Sequence, residues 1–146
     1  MYNSVIDFWF HQIEPKLWWQ KDTNFDTLIK QRFADLHRQA NAGELFSWRS
    51  SAEGSLAEII VLDQFSRNIY RDQAAAFASD SLALALAQTA IDKGFDQTLA
   101  PQQRSFMYLP FMHSESALIH EQAVKLYTAL GNANNLDFEY KHKAII

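Results

Sequence analysis

The stretch from Ser55 to about Asn68 constrains this chain more than any other. Between Leu56 and Phe65 it is apolar on nearly every side, interrupted only by Glu58, Asp63 and Gln64. It is too long for a typical strand and shows no alternation, so it predicts a helix surrounded by protein. The remaining segments must then cover that helix.

They have the periodicity to do so. Phe25, Leu28, Ile29, Phe33, Leu36 and Ala40 recur at three- and four-residue spacing, a single apolar stripe that Gly43 ends as a left-handed cap. Ser79, with Asp80 in the first turn, starts a helix through Leu82, Leu86, Ala90 and Ile91 to Gly94. Its alanines at 83, 85, 87 and 90 permit close helix approach. Pro101 suits the first position of a helix over Gln102–Met112, which Pro110 should kink or end. Ser114 is the expected cap of the next helix, through Ala117, Leu118, Val124, Leu126 and Tyr127 to Gly131. A last helix should begin near Asn135 and carry Leu136, Phe138, Tyr140 and Ile145.

No segment alternates with period two, and no Asn-Gly or Asp-Gly hairpin turn occurs. The expected architecture is all-α: antiparallel helical hairpins stacked as a bundle or short superhelix, in one domain over residues 1–146. A chain of this length buries enough surface for a real core. The absence of cysteine rules out disulfides, thiolate metal sites and a cysteine nucleophile. A net charge of −4 gives no pull toward nucleic acid or anionic lipid. The N-terminus has no basic leader, and the longest strongly apolar runs, such as Ile59–Leu62, fall far short of a span, so a cytoplasmic location is expected. The chain ends at Lys-Ala-Ile-Ile in mid-helix, which points to a longer protein or to a docked end.

Chemistry is narrowed first by exclusion. No phosphate-binding glycine loop, nucleophile elbow or His-Glu-x-x-His is present, and no cofactor is expected. His113 and His120 are seven residues apart, but a cap at Ser114 would break the helix between them, so no metal site is expected.

Two polar clusters stand out. The first is Leu62-Asp63-Gln64-Phe65-Ser66-Arg67-Asn68-Ile69-Tyr70-Arg71, at the end of the most apolar helix. On a helix Asp63, Arg67 and Arg71 stack at four-residue spacing and Gln64 lies over Asn68. Polar groups leaving a buried helix must be paired or face a cavity. Either Asp63 and Arg67 form a pair that fixes the helix end, or Arg67 and Arg71 hold an anion with Asp63 orienting Arg67. The second cluster is Leu109-Pro110-Phe111-Met112-His113-Ser114-Glu115. With a helix starting at Ser114, His113 and Glu115 would lie at its N-terminus, where they either cap locally or act as a base beside an anion. The aromatic runs Asp7-Phe8-Trp9-Phe10 and Leu17-Trp18-Trp19 fit core packing best and could also line a groove.

These motifs carry a resemblance. Val5-Ile6-Asp7-Phe8-Trp9-Phe10, Trp18-Trp19 with Lys21-Asp22 and Phe25-Asp26, Leu62–Arg71 and Leu109–Glu115 occur in this order. Together they resemble the bacterial proteins grouped as domain of unknown function 924. The resemblance covers essentially the whole chain and implies a tetratricopeptide-like helical fold, with no established activity, cofactor or partner. Members resemble this chain through Lys141-His142 and Ile145-Ile146 and then continue into an Arg-Phe-Pro-His-Arg-Asn-like segment absent here. Where they show Pro in an Asp-Gln-Phe-Pro-Arg-Asn motif this chain has Ser66, which should leave the adjacent charges in place.

The leading functional expectation is a binding module in which Asp63, Gln64, Arg67, Asn68, Arg71, His113 and Glu115 receive a small anionic ligand or a peptide carboxylate. The rivals are a hydrolase or lyase for an anionic substrate with His113 or Glu115 as base, and a structural or oligomerisation protein. The last would use Trp18, Trp19 or the Ile145–Ile146 end, and a homo-oligomer stays open.

Overall fold

The computed structural model describes residues 1–131 and 133–145, all helices, turns and connecting loops. The helices are α1 (Tyr2–Asp7), α2 (Thr23–Asn41), α3 (Ala52–Ile60), α4 (Ser66–Ile69), α5 (Asp80–Asp92), α6 (Pro101–Met112), α7 (Ala117–Leu130) and α8 (Ala133–Ile145). Among the described residues there is no strand, as the sequence pattern predicts.

The predicted buried helix is α3, a π turn over Val61–Phe65, and α4 in unbroken succession. Leu56 through Phe65 are all buried. Its covers are α1, α5 and α6 around α3, while α2 lies along the π turn and α4. The π turn widens the helix by one residue where Asp63 and Gln64 stand, a device common at functional sites. Packing there is aromatic: Phe8 and Phe33 pack on Phe65, and Trp9 meets both Phe65 and Phe106.

The helix ends follow from their caps. Asp22 accepts from the Phe25 amide at 2.9 Å, Ser51 from Gly54 at 3.0 Å, and Gly43 and Gly131 take left-handed backbone that ends α2 and α7. Several sequence expectations are corrected. Leu28 is exposed, and His37 takes its place on the buried face of α2. Ser79 stands at the cap position, but its hydroxyl donates to the Asn41 side chain at 2.6 Å. Pro110 does not end α6. The His113 amide still reaches the Leu109 carbonyl at 3.0 Å, so the helix continues to Met112. The cap of α7 is Ser116, which accepts from Ile119, whereas Ser114 accepts from Ser116 within the connecting turn. The last helix starts at Ala133, before Asn135. Ile146 and the side chain of Ile145, the apolar end noted in the sequence, lie outside the described residues.

One stretch, Ala74–Asp92, is long and apolar enough by length and composition to cross a membrane, with alanine supplying much of its apolar character. Its helical part α5 packs on α3 and α6, with Ala83, Ala87 and Ala90 buried.

Two buried polar side chains of the central helix are matched from neighbouring elements. Glu58, fully buried in α3, is held at 2.8 Å through both carboxylate oxygens by Arg49. Ser66 donates to the Leu62 carbonyl at 2.6 Å and therefore accepts from His37 Nε2 at 2.7 Å. Burial holds His37 below its ordinary pKa, which agrees with a neutral ring.

Close approach of α3 to the 3-10 turn Phe46–Ser50 requires Gly54. A Cβ there would sit 2.1 Å from the Trp48 carbonyl oxygen, a backbone atom with no freedom to move aside. Gly54→Ala is expected to destabilise the fold by about 1–3 kcal/mol, read as a lowered thermal midpoint, despite alanine's better helix propensity.

Candidate functional site

The Asp63 carboxylate, 1% exposed, sits in the π turn and receives donors from two sides. From its own helix Gln64 Nε2 donates to Oδ2 at 2.8 Å, and Arg67 Nη1 donates to Oδ1 at 2.9 Å and to the Asp63 carbonyl at 3.1 Å. From α6 the His113 Nδ1 meets Oδ1 at 2.8 Å. Burial alone would raise the Asp63 pKa. The His113 charge and hydrogen bond, with Arg67 and Gln64, more than offset it and leave the group below the ordinary carboxylate value.

Arg67 is shared. Its Nη1 and Nη2 also donate to Asp80, at the start of α5, at 2.8 and 3.0 Å, and its plane lies 5.3 Å from the Phe77 ring. Burial would lower its pKa, but Asp63 and Asp80 raise it, so the cation is secure. Arg71, one turn on, forms a two-point pair with Asp26 of α2 at 2.6 and 3.1 Å, and Asn68 donates to the same carboxylate at 2.9 Å.

Arg67 and His113 form a wall between two cavities. The smaller, about 190 Å³, is lined by Trp18, Trp19, Gln20, Gln64, Arg67, Asn68, Arg71, Leu109 and His113. Among the described residues no acid lines it; Asp26 and Asp63 hold the arginines from behind. Trp18 is fixed by its indole N–H donating to the Trp9 carbonyl at 3.0 Å, and Trp19 stacks on Phe106 at 5.6 Å. The larger cavity, about 630 Å³, is lined by Arg67, Phe77, Asp80, Ser81, Leu84, Pro110, His113, Ser114, Glu115 and His142.

The structure thus brings Gln64, Arg67, Asn68, Arg71 and His113 around one small cavity, with Asp63 buried beneath. Glu115 is exposed and lines only the larger one. The expected N-terminal setting of His113 and Glu115 is corrected. His113 is the C-terminal cap of α6, at the carbonyl-bearing end of that helix, and Glu115 lies in the turn before Ser116.

His113 and His120 diverge. His120, fully buried on α7, hydrogen-bonds the Ser114 carbonyl through Nε2 and Glu139 of α8 through Nδ1 at 2.6 Å. Burial raises the Glu139 pKa, with His120, His142 and Lys143 opposing. Among the described residues no group of three or more His, Asp or Glu could hold a metal ion.

Sequence reasoning missed Asp26 and Asp80 as site residues. Asp80 reads as a first-turn acid that complements a helix dipole, Asp26 stands in the sequence only as part of the family motif, and nothing local ties them to arginines 13 and 45 residues away.

Comparison with known proteins places the chain. The model of the family described as bacterial protein of unknown function (DUF924) matches residues 5–146. The chain belongs to the DUF924 family. A protein of unknown function from Agrobacterium tumefaciens, ATU0120, has a solved structure that superposes with a TM-score of 0.94 at 38% identity. The match covers 99% of this chain and 81% of that one. No curated protein matches this chain.

Because the Asp63 pKa is depressed in the folded state, its contribution to stability is fully present above the ordinary carboxylate value. It is lost as pH falls through the depressed folded value. Thermal midpoints measured across that acid range should fall for the wild type, and Asp63→Asn should flatten that dependence while lowering stability at neutral pH.

Proposed function

We propose that this DUF924 protein binds a small anionic ligand, a carboxylate or a phosphate, in the cavity between Trp18, Trp19 and Arg71. The observation that carries the reading is the lining: two arginines, a histidine, three amides and two indoles, and no acid among the described residues. Asp26, Asp63 and Asp80 offset the charge of the two arginines, yet none of them lines this cavity, and guanidinium edges are left over. Arg71 Nη1 and Arg67 Nε have no protein acceptor among the described residues. A carboxylate gripping each arginine at two points, Asp26 for Arg71 and Asp80 for Arg67, fixes the direction of its fork, which is how planar acids are recognised with geometry as well as charge.

The volume favours a small acid, or the terminal carboxylate of a peptide whose remainder lies outside. The tetratricopeptide-like stacking implied by the family resemblance would favour the peptide. The mixed charges of the larger cavity, where Asp80 and Glu115 face Arg67, give less reason to hold an anion there.

The test is a thermal-shift titration with inorganic phosphate and with small mono- and dicarboxylates. A ligand at a hundred times its dissociation constant should stabilise the wild type by about 2.7 kcal/mol. Arg71→Gln, with an unchanged circular dichroism spectrum, should lose the shift. Equal affinity in this variant, or no saturable shift with any of these acids, would contradict the proposal.

A further inference from the structure

We propose that the wall between the two cavities is hydrolytic: His113, positioned by Asp63, is a general base that cleaves esters whose carboxylate sits in the smaller cavity. The inference rests on the anion reading of that cavity and assigns it a substrate class.

The tautomer follows from the hydrogen bonds. Asp63 is an ionised acceptor, already receiving N–H groups from Arg67 and Gln64, so His113 Nδ1 must be the donor of their 2.8 Å bond. In the neutral ring this leaves the lone pair on Nε2. Among the described residues no donor engages that nitrogen. The Nδ1 edge faces a carboxylate that is 1% exposed, so the opposite edge is the one turned toward the cavities that His113 lines. A buried carboxylate behind an imidazole with a free Nε2 is the arrangement that orients a base and stabilises its protonated form.

The surroundings fit an ester. Arg67 lies in the same wall, held by Asp63 and Asp80, and can face negative charge as it develops on a carbonyl oxygen. Phe77, Leu84 and Pro110 give the larger cavity an apolar side for the rest of the substrate. In the reaction a water gives one proton to His113 Nε2 while its oxygen bonds to the ester carbonyl carbon. The tetrahedral adduct then collapses, the carbon–alkoxy oxygen bond breaks, and the imidazolium returns the proton to the leaving oxygen. Acid and alcohol are the products, and water is the only co-reactant.

The probe is 4-acetoxybenzoate, whose carboxylate cannot reach its own ester, followed by release of 4-hydroxybenzoate, with phenyl acetate as the uncharged comparison. The wild type should prefer the charged ester and turn over more slowly in heavy water. His113→Gln should lower kcat by about a hundred- to ten-thousand-fold with KM little changed. Asp63→Asn should lower kcat at constant KM where it folds, and Arg71→Gln should raise KM. Wild-type turnover no faster than His113→Gln, or no slower in heavy water, would overturn the hydrolytic role. In that event binding of 4-hydroxybenzoate that is lost in Arg71→Gln would leave the anion site standing. Absence of that binding in the wild type would overturn the anion reading and this inference together.

Discussion

A carboxylate excluded from water has to be met by hydrogen-bond donors or it takes up a proton, and Asp63 is 1% exposed. Its donors are Gln64 and Arg67 on its own helix and His113 on α6. That need ties the end of the central helix to the C-terminal end of α6. Through Arg67 and Asp80 it ties the same helix to the start of α5. The segment that had to be buried because of its apolar residues also carries the charge that dictates how its neighbours meet at one end. The π turn over Val61–Phe65 lies at this junction, where regular helical packing gives way to a polar wall.

The arrangement has two sides because the carboxylates that hold the arginines stay out of the smaller cavity, while Asp80 lines the larger one. Arg71 is gripped by Asp26 from α2, and Arg67 by Asp63 from within and Asp80 from α5. The face toward Trp18 and Trp19 presents arginine, amide and aromatic groups with no acid among the described residues, while the face toward Phe77 and Glu115 has both signs of charge beside apolar surface. His113 belongs to both faces. A single histidine, oriented by a buried acid and shared between an anion-shaped hollow and a roomier mixed one, is the feature from which the functional proposals grow.

Much of this was readable from the residues, and the failures have physical causes. The continuous apolar run of Leu56–Phe65 and the spaced stripe of α2 encode burial directly, and the Asp63–Arg67 pair follows from four-residue spacing. The polar clusters around Asp63 and His113 could be picked out because charged residues beside so apolar a segment need a reason. Their meeting at 2.8 Å depends on tertiary packing over 50 residues, which no local rule contains. Ser114 and Ser116 both lie within reach of the same helix start, and the choice of Ser116 as the cap depends on where α6 stops. Pro110 does not end α6 for a related reason. A proline near the end of a helix forfeits one hydrogen bond, and packing of the last turn compensates. Asp26 and Asp80 kept their local appearance as helix-start acids, since a counterion's identity is visible only once its arginine is in place.

Asp63 is held as an ionised carboxylate in the protein interior by His113, Arg67 and Gln64. The most direct measurement of this is a titration of the Asp63 side-chain carboxyl carbon by nuclear magnetic resonance, with the signal assigned by its loss in Asp63→Asn. This carbon should stay in its ionised position as pH is lowered through the ordinary carboxylate range and protonate only below it, as the fold is lost. A carboxyl that titrates above the ordinary value in the folded protein would contradict this. Burial would then outweigh the donors, and Asp63 could not be the anchor of the wall.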